Sequence, residues 1–577
     1  MLSSAYLKFI CDKENLNLAK IEEQLILEHI EKLDNFIVLI IKFYLNLLNI
    51  LSFIIFWKGL SKLDSGKISK LKNILFPLNF LINKIDQIFF VISSMHIYAD
   101  EKINEGKLKQ NNVKNYYKFI VIGSGPSGAI TANEISKKYS GEALIIEKGN
   151  FYEIPKIKHP GEEFSKKWYR GGVNSTYFPE MIAYSSATCL GGGSEINSGL
   201  YHEPDEEFLL NWSREYDTKN LSYDSLKAFS NIVKEFTSEG NNELKFSRKF
   251  HDGEKDNPSN ISDLRKFYNS KTGLKNSMSQ TLLKEFQENQ GVIESGTEVK
   301  LIQRKNNKWK IKCEKNGVRK EFETDNLFVC CGSIFTNNLL LKSGISKKKR
   351  KILKTFKFHP MVKVIGSYDD EVQEINEDVI NSQNIRNFPK NIIGNATSSI
   401  QFLLSSFQKD VTIKEFIFQN WKKMKVFHVT FSLGKGKILN VPFFDEPFLF
   451  YFLSKDDKKN IANGISDLLK FIFRTNAKYA IPVNDKNPIK INKDNLVEEI
   501  KRIKSIKGYQ ISSVHILGGV TMGESNKCIA NSYGKIHGLE GLYVNDSSLI
   551  NTNLLKNPQG TVMAIALRNI THFLKDL

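Results

Sequence analysis

Apolar residues run along this chain in two textures, and the change falls near residue 115. Before it, Leu, Ile and Phe are interleaved with Lys and Asn, glycine is scarce and Pro77 is the one proline, which predicts helices joined by short loops. The most apolar stretch, Phe36 to Trp57, holds 22 residues and a single charge, Lys42, with Asn46, Asn49 and Ser52 as polar interruptions. It is long enough to span a bilayer with Lys42 reaching back to the interface, and it suits a helix buried against neighbouring segments as well. Phe76 to Tyr98 carries Asn79, Asn83, Lys84, Asp86 and Gln87 among its apolar residues and reads as amphipathic. Residues 36–98 are therefore the expected contact with a membrane surface.

From Tyr116 the pattern turns to short β-branched runs punctuated by glycine, an α/β texture. It fades over residues 202–505, returns once between Gly291 and Gly344, and returns again after Ser512. A nucleotide-binding unit in three separated pieces, interrupted by a second domain, accounts for that distribution. The boundaries expected are a helical extension at 1–115, nucleotide-binding segments at 116–201, 291–345 and 506–577, and an inserted substrate domain at 202–290 and 346–505. A length of 577 residues leaves room for all three units.

Charge adds little. The formal net charge is +19, but Arg supplies only 11 of the 82 basic residues, and the Lys residues are dispersed among acids, so nucleic acid is not an expected partner. The six cysteines show no CxxC pair and no metal-ligand spacing, which fits a reducing compartment and no metal site. The first residues lack the pattern of a secretory signal, and a cytoplasmic location with membrane association is the expectation.

The chemistry lies in four blocks. In the first, the apolar strand Phe119 to Ile122 runs into Gly123, Gly125 and Gly128 and then a helical pattern. Gly123 permits a tight turn, Gly125 lets the backbone approach a diphosphate, and Gly128 lets helix pack on strand. A second strand, Ala143 to Ile146, ends in Glu147, placed to accept hydrogen bonds from ribose hydroxyls, which favours FAD or NAD over NADP. The second block, Cys189-Leu-Gly-Gly-Gly-Ser-Glu-Ile-Asn197, puts three glycines where main chain can press on a flat ligand. The third, Asp325 to Gly344, reads as strand, glycine turn and helix, with Cys330 and Cys331 as small buried hydrophobes. The fourth holds His515, Asn545-Asp546 and Asn557-Pro-Gln559, with His515 and Asn557 set among glycines as a pocket-lining pair.

Together these blocks resemble the glucose-methanol-choline (GMC) oxidoreductases over about residues 115–577, nearest the cholesterol oxidase and long-chain alcohol oxidase branches. The resemblance implies a Rossmann-like FAD-binding domain of discontinuous segments and an inserted substrate domain with a mainly antiparallel sheet, preceded by a helical extension. It implies that Gly123, Gly125, Gly128 and Glu147 hold the ADP half of FAD, with the Val299 backbone near the adenine. Gly192, Gly193 and Asn197 would lie along the flavin, and Asn545, Asp546 and Gln559 would close over the ribityl chain and pyrimidine edge. His515 would take the hydroxyl proton of an alcohol as hydride leaves its carbon for flavin N5, while Asn557 orients the hydroxyl.

A long-chain or otherwise lipophilic alcohol is the expected substrate, supported by apolar inserts such as Phe443 to Leu453. A sugar or polyol is the alternative within the fold, and a catalytically silent membrane-associated flavoprotein the alternative of another class. Oxygen, a quinone or a protein would accept the electrons. The chain departs from the cholesterol oxidase pattern at His515-Ile-Leu-Gly518 and carries Glu195 inside the glycine block. His202 is a further candidate for the substrate pocket.

Overall fold

The computed structural model describes residues 2–577 apart from 15, 76–77, 98–102, 110–111, 154–159, 238–265, 270–271, 273, 347–348, 373–384, 389–390, 397, 407–410, 442–443, 445, 485–488 and 552–553. Phe76, Tyr98 and Phe443, the ends of two segments discussed above, thus lie outside the described residues.

Three stretches of chain build the first sheet. Its strands, in spatial order, are β4 (Val292–Glu294), β2 (Ala143–Ile146), β1 (Tyr116–Ile122), β7 (Val318–Val329), β6 (Lys308–Lys315) and β5 (Glu298–Lys305), with β18 (Leu542–Val544) also beside β7. β4, β2, β1, β7 and β18 run parallel, which explains the apolar runs Phe119–Ile122, Ala143–Ile146 and Leu327–Val329, where both faces are covered. β5 and β6 add an antiparallel edge to β7. The helix after β1, Pro126–Lys138, and the closing helix, Gln559–Lys575, pack together on this sheet and share its core.

The second sheet has the order β10 (Ile385–Phe388), β11 (Asn391–Ala396), β12 (Met424–Phe431), β9 (Met361–Ser367), β16 (Ile511–Ser513) and β3 (Ile182–Tyr184), with β15 (Tyr479–Pro482) also on β9. Every pairing in it is antiparallel except β16 with β3. β3 and β16 come from segments expected to serve the nucleotide unit, so the chain passes between the two layers more often than its texture indicates. A third, smaller sheet, β14 (Phe448–Phe452), β13 (Lys435–Leu439), β8 (Thr355–Phe358) and β17 (Ile516–Leu517), lies beside it and has no counterpart in the sequence reading.

The helices Glu206–Tyr216 and Tyr223–Lys234 differ from expectation in another way. They supply no strand to the second sheet. Their buried residues Phe208, Trp212, Leu226 and Val233 join the core of the first, and Tyr223–Lys234 lies on the closing helix. Their amphipathic pattern fixes that they pack, but carries no address for the layer they pack on.

Alternation along β9 and β12 divides the second sheet into two faces. Val362, Val364, Phe427 and Val429 face the helix Lys455–Arg474 in the main core. On the other face, Ile365, Met424 and Val426, with Ile481 and Val483, form a separate core with the N-terminal helices. Those helices are α1 (Leu2–Lys13), α2 (Lys20–Glu31), α3 (Asn35–Phe56), α4 (Ser65–Ile74) and α5 (Asn79–Ile97). Polar ties fix the arrangement. His29 donates through Nε2 to the Gly171 carbonyl (2.7 Å) and receives at Nδ1 the Nε2 proton of His96 (3.0 Å). Asp34 caps α3 by accepting from Phe36 N (2.8 Å) and pairs with Arg170.

α3 is the segment Phe36 to Trp57 anticipated as a spanning or buried helix, and it lies between those limits. Val38, Ile41, Tyr44, Leu45, Leu48 and Ser52 are buried, whereas Leu39 is 63%, Phe43 66%, Ile54 66% and the capping Trp57 88% exposed. One apolar face meets the protein and the other meets the surroundings. By length and composition it is the one described helix capable of crossing a membrane.

Candidate active site

The turn after β1 is compact because its glycines leave no room for side chains. Gly123 has φ +98°, and a Cβ there would lie 2.5 Å from the Cys330 carbonyl oxygen; a Cβ on Gly128 would lie 2.0 Å from the Gly123 carbonyl oxygen. β1, the helix Pro126–Lys138 and the end of β7 are thereby drawn together. The triple glycine meets the same turn, since a Cβ on Gly192 would come within 2.7 Å of the Gly125 Cα. Ser124 locks the contact: its hydroxyl accepts from Gly191 N (3.0 Å) and donates to Glu147 Oε2 (2.7 Å).

Other glycines border open space. Nothing lies within 4 Å of a Cβ built on Gly193 or on Gly332, the residue that starts the helix Ser333–Lys342 with φ +80°. These positions lie beyond the carboxyl ends of β1 and β7, where open α/β sheets bind nucleotides, and the helix starting at Pro126 points its free N–H groups there. A cavity of about 490 Å³ lies past the end of β2, lined by Lys148, Gly149, Asn150 and Gly296 and by Asp34, Phe36 and Arg170. None of the residues around His515 lines it. A long, flat ligand with a diphosphate at its middle fits this cradle.

Glu147 ends β2 as expected and is already engaged. Its oxygens accept from Ser124 N (3.0 Å), Ser124 Oγ and Gly149 N (2.8 Å), while burial raises its pKa. Three of about four acceptor positions are used, which leaves one for a ribose hydroxyl. Val299 lies on β5 opposite Cys313, five residues beyond Glu294, whose carbonyl receives Glu147 N.

The side chains of Asn545 and Asp546 are spent on the protein. Asn545 donates to Thr131 Oγ1 (2.9 Å) and the Ala566 carbonyl (3.0 Å) and accepts from Asn569 (3.1 Å). Asp546 accepts from Gly332 N (2.8 Å), Ser548 N (2.8 Å), Thr336 Oγ1 and Ser548 Oγ, and burial raises its pKa. They shape the floor of the crevice, tying β18 to the two helices on the sheet and to the turn after β7. Asn197 and Gln559 are brought together, the Asn197 amide donating to Gln559 Oε1. Glu195 is buried and turned away, accepting from Ser279 N (3.2 Å).

His515 follows β16 and gains a partner that no local pattern announces. Its Nδ1 lies 3.0 Å from Nδ1 of His359, the rings edge to face. His359 is buried between β8 and β9, and the nearby Leu554 carbonyl favours a proton on its ring. In the tautomer pair where Nε2 of His359 carries its proton, Nδ1 of His359 accepts the Nδ1 proton of His515, and Nε2 of His515 keeps its lone pair. Burial lowers His515 to about 4, so the imidazole is neutral near pH 7. A neutral imidazole with a fixed tautomer can accept a proton.

Two more histidines approach. His202, lowered to about 3 by burial, feels the charges of Lys556 and His515, and its backbone packs on Gly560 at the start of the closing helix. Asn557 sits one residue after Lys556 and just before Pro558, which caps that helix; no hydrogen bond to its amide is found among the described residues. His428 on β12, also lowered to about 3 by burial, feels Lys363 and His515. His359 and His428 are absent from the sequence reading because sheet register alone carries them to His515.

Comparison with known proteins follows the same lines. The family model described as GMC oxidoreductase matches residues 118–361 with its N-terminal part and 446–566 with its C-terminal part. An uncharacterized GMC-type oxidoreductase of Sinorhizobium fredii is 24% identical over 480 residues, covering 78% of this chain and 93% of that protein. A long-chain-alcohol oxidase of Arabidopsis thaliana is 24% identical over 498 residues, covering 78% of this chain and 67% of its own. Among solved structures, pyridoxine 4-oxidase from Mesorbium loti superposes with a TM-score of 0.61 at 12% identity, over 80% of this chain and 99% of its own.

Proposed function

This chain belongs to the GMC oxidoreductase family and is an FAD-dependent oxidoreductase, and from that premise we propose that it oxidises the CH–OH group of a lipophilic alcohol to a carbonyl, with His515 as the base. The observation that carries the reading is the His359–His515 pair, which presents a neutral imidazole with its Nε2 lone pair free. FAD, when bound, supplies the acceptor for the carbinol hydrogen and its electron pair. Gly193 and Gly332 border open space for it, Gly123, Gly125 and Gly192 shape the tight turn beside it, and Glu147 offers its remaining acceptor position to the adenosine ribose. His515 takes the hydroxyl proton at Nε2 as the C=O bond forms, and Asn557 orients the hydroxyl, an amide being able to position an alcohol without competing for its proton. His202 lines the pocket beside the closing helix.

We place the enzyme in the cytoplasm at a membrane surface. The support is the exposed apolar face of α3, which includes Leu39, Phe43 and Ile54 and would remain wet in solution. A lipophilic alcohol partitions to the same surface.

The test is anaerobic reduction of the bound flavin by a panel of alkanols, sugars and polyols. Bleaching by alkanols supports the reading, and reoxidation in air then separates oxygen from a quinone or protein as acceptor. Bleaching by sugars alone moves the substrate to the polyol class. Failure of every alcohol removes the alcohol-oxidation reading.

A further inference from the structure

The face of the second sheet that looks toward His515 carries a lysine with no protein partner among the described residues. Lys363 lies near the middle of β9, a strand paired on both sides, directly across from His428 of β12. Cross-strand neighbours project to one side, so Lys363 and His428 share the face from which His428 senses His515. Lys363 Nζ makes no ion pair and no side-chain hydrogen bond among the described residues. Nearby on the same face, His428 Nδ1 and Thr430 Oγ1 are buried without partners. A half-buried ammonium without a protein partner among the described residues thus shares one layer with a buried imidazole nitrogen and a buried hydroxyl that are unpartnered there. Such groups are costly to leave unmatched, and a polar ligand relieves that cost.

Resting on the alcohol-oxidation reading above, we propose that Lys363, with Thr430 and His428, binds a carboxylate at the end of the substrate remote from the hydroxyl, so that the preferred substrate is an ω-hydroxy acid. The dimensions of the fold set its length. Lys363 is four residues beyond His359, the partner of His515, which puts their Cα atoms at most ~13 Å apart along a strand. Two residues farther, Ile365 is fully buried against the N-terminal helices, so the layer closes just past the ammonium. A medium-length chain matches that separation between base and cation. Burial lowers the pKa of Lys363, and an arriving carboxylate reverses that effect by favouring the charged amine.

The experiment compares hexanol with ω-hydroxyhexanoate as anaerobic reductants of the holoenzyme, in wild type, Lys363→Met and Lys363→Arg. Wild type is expected to favour the hydroxy acid by roughly tenfold or more in apparent second-order rate constant, the usual worth of a charge-assisted hydrogen bond. Lys363→Met should erase that ratio and Lys363→Arg should retain most of it. Equal use of the two alcohols by wild type, or a ratio unchanged in Lys363→Met, overturns the proposal. Hexanoate, which has no hydroxyl to oxidise, is titrated in parallel by its perturbation of the flavin spectrum. If neither alcohol reduces the flavin, the alcohol-oxidation reading has failed. Hexanoate binding that is lost in Lys363→Met then still upholds the anion site, and binding that survives the change refutes it.

Discussion

Replacing His359 with Phe removes the acceptor for the His515 Nδ1 proton while keeping a ring of similar size in a buried site. The bond removed is 3.0 Å long and joins two neutral groups, and it selects the tautomer whose Nε2 can act as a base. A donor left without a partner in such a site costs about 1–3 kcal/mol, and each 1.4 kcal/mol is a factor of ten in an equilibrium constant. The tautomer preference and the ring's orientation weaken by that amount. The rate of flavin reduction should then fall roughly tenfold, with hundredfold as the ceiling. Gln at 359 has both an acceptor for His515 and a donor for the Leu554 carbonyl, so His359→Gln should recover most of the rate. Stopped-flow reduction by an alcohol under anaerobic conditions reads these rates, with flavin content and melting temperature confirming that each variant is folded. An intact His359→Phe enzyme that reduces as fast as wild type would refute the role assigned to the pair.

Other consequences can be measured as directly. Because His515 is lowered to about 4, the base form persists above that value, so kcat/KM should stay level from neutral pH down to about 5 and fall tenfold per unit only below about 4; an acidic limb near the ordinary histidine value would contradict this. His29 and His96, lowered to about 4 and about 3, stay neutral in the fold while the unfolded chain takes up protons below about pH 6.5. Each therefore contributes stability above about pH 6.5 that is lost at about 1.4 kcal/mol per unit as pH falls toward its folded value, and His29→Gln should flatten a denaturation series over that window. Gly193→Val puts a side chain into open space, so the protein should fold with near-normal apo stability yet be purified without flavin. Phe43→Glu with Ile54→Glu should abolish sedimentation with lipid vesicles and leave alcohol oxidation in solution intact; unchanged sedimentation would exclude α3 as the contact.

What the sequence disclosed was local. Gly123, Gly125, Gly128 and Glu147 were legible because strand, turn, helix and strand follow one another within thirty residues or so, and each glycine answers a steric demand made by its immediate surroundings. The triple glycine was legible for the same reason. The environment of His515 was not. Its partner is 156 positions away and arrives through the bend between β8 and β9, and His428 depends on the register of β12 against β9. Asn545 and Asp546 show the opposite error. The sequence motif points to the crevice, but only the folded chain reveals that their polar atoms are committed to Thr131, Thr336 and neighbouring backbone. Lys363 in sequence is one lysine among many, and its isolation is a property of the sheet.

The shared core between the N-terminal helices and the second sheet sets a problem of timing. α1 to α5 are complete by residue 97, but Ile365, Met424, Val426 and Ile481, against which they close, are synthesised roughly 260 to 390 residues later. At the pace of translation that interval lasts on the order of tens of seconds to a minute or more. Throughout it, the apolar faces of these helices have no sheet to cover. If the exposed face of α3 meets a membrane as proposed, that surface would be a suitable place for them to wait. The same extension that seals the mature enzyme would thus be its first segment to find a resting place, and its dependence on late-arriving strands makes the molecule one that is finished from the far end back.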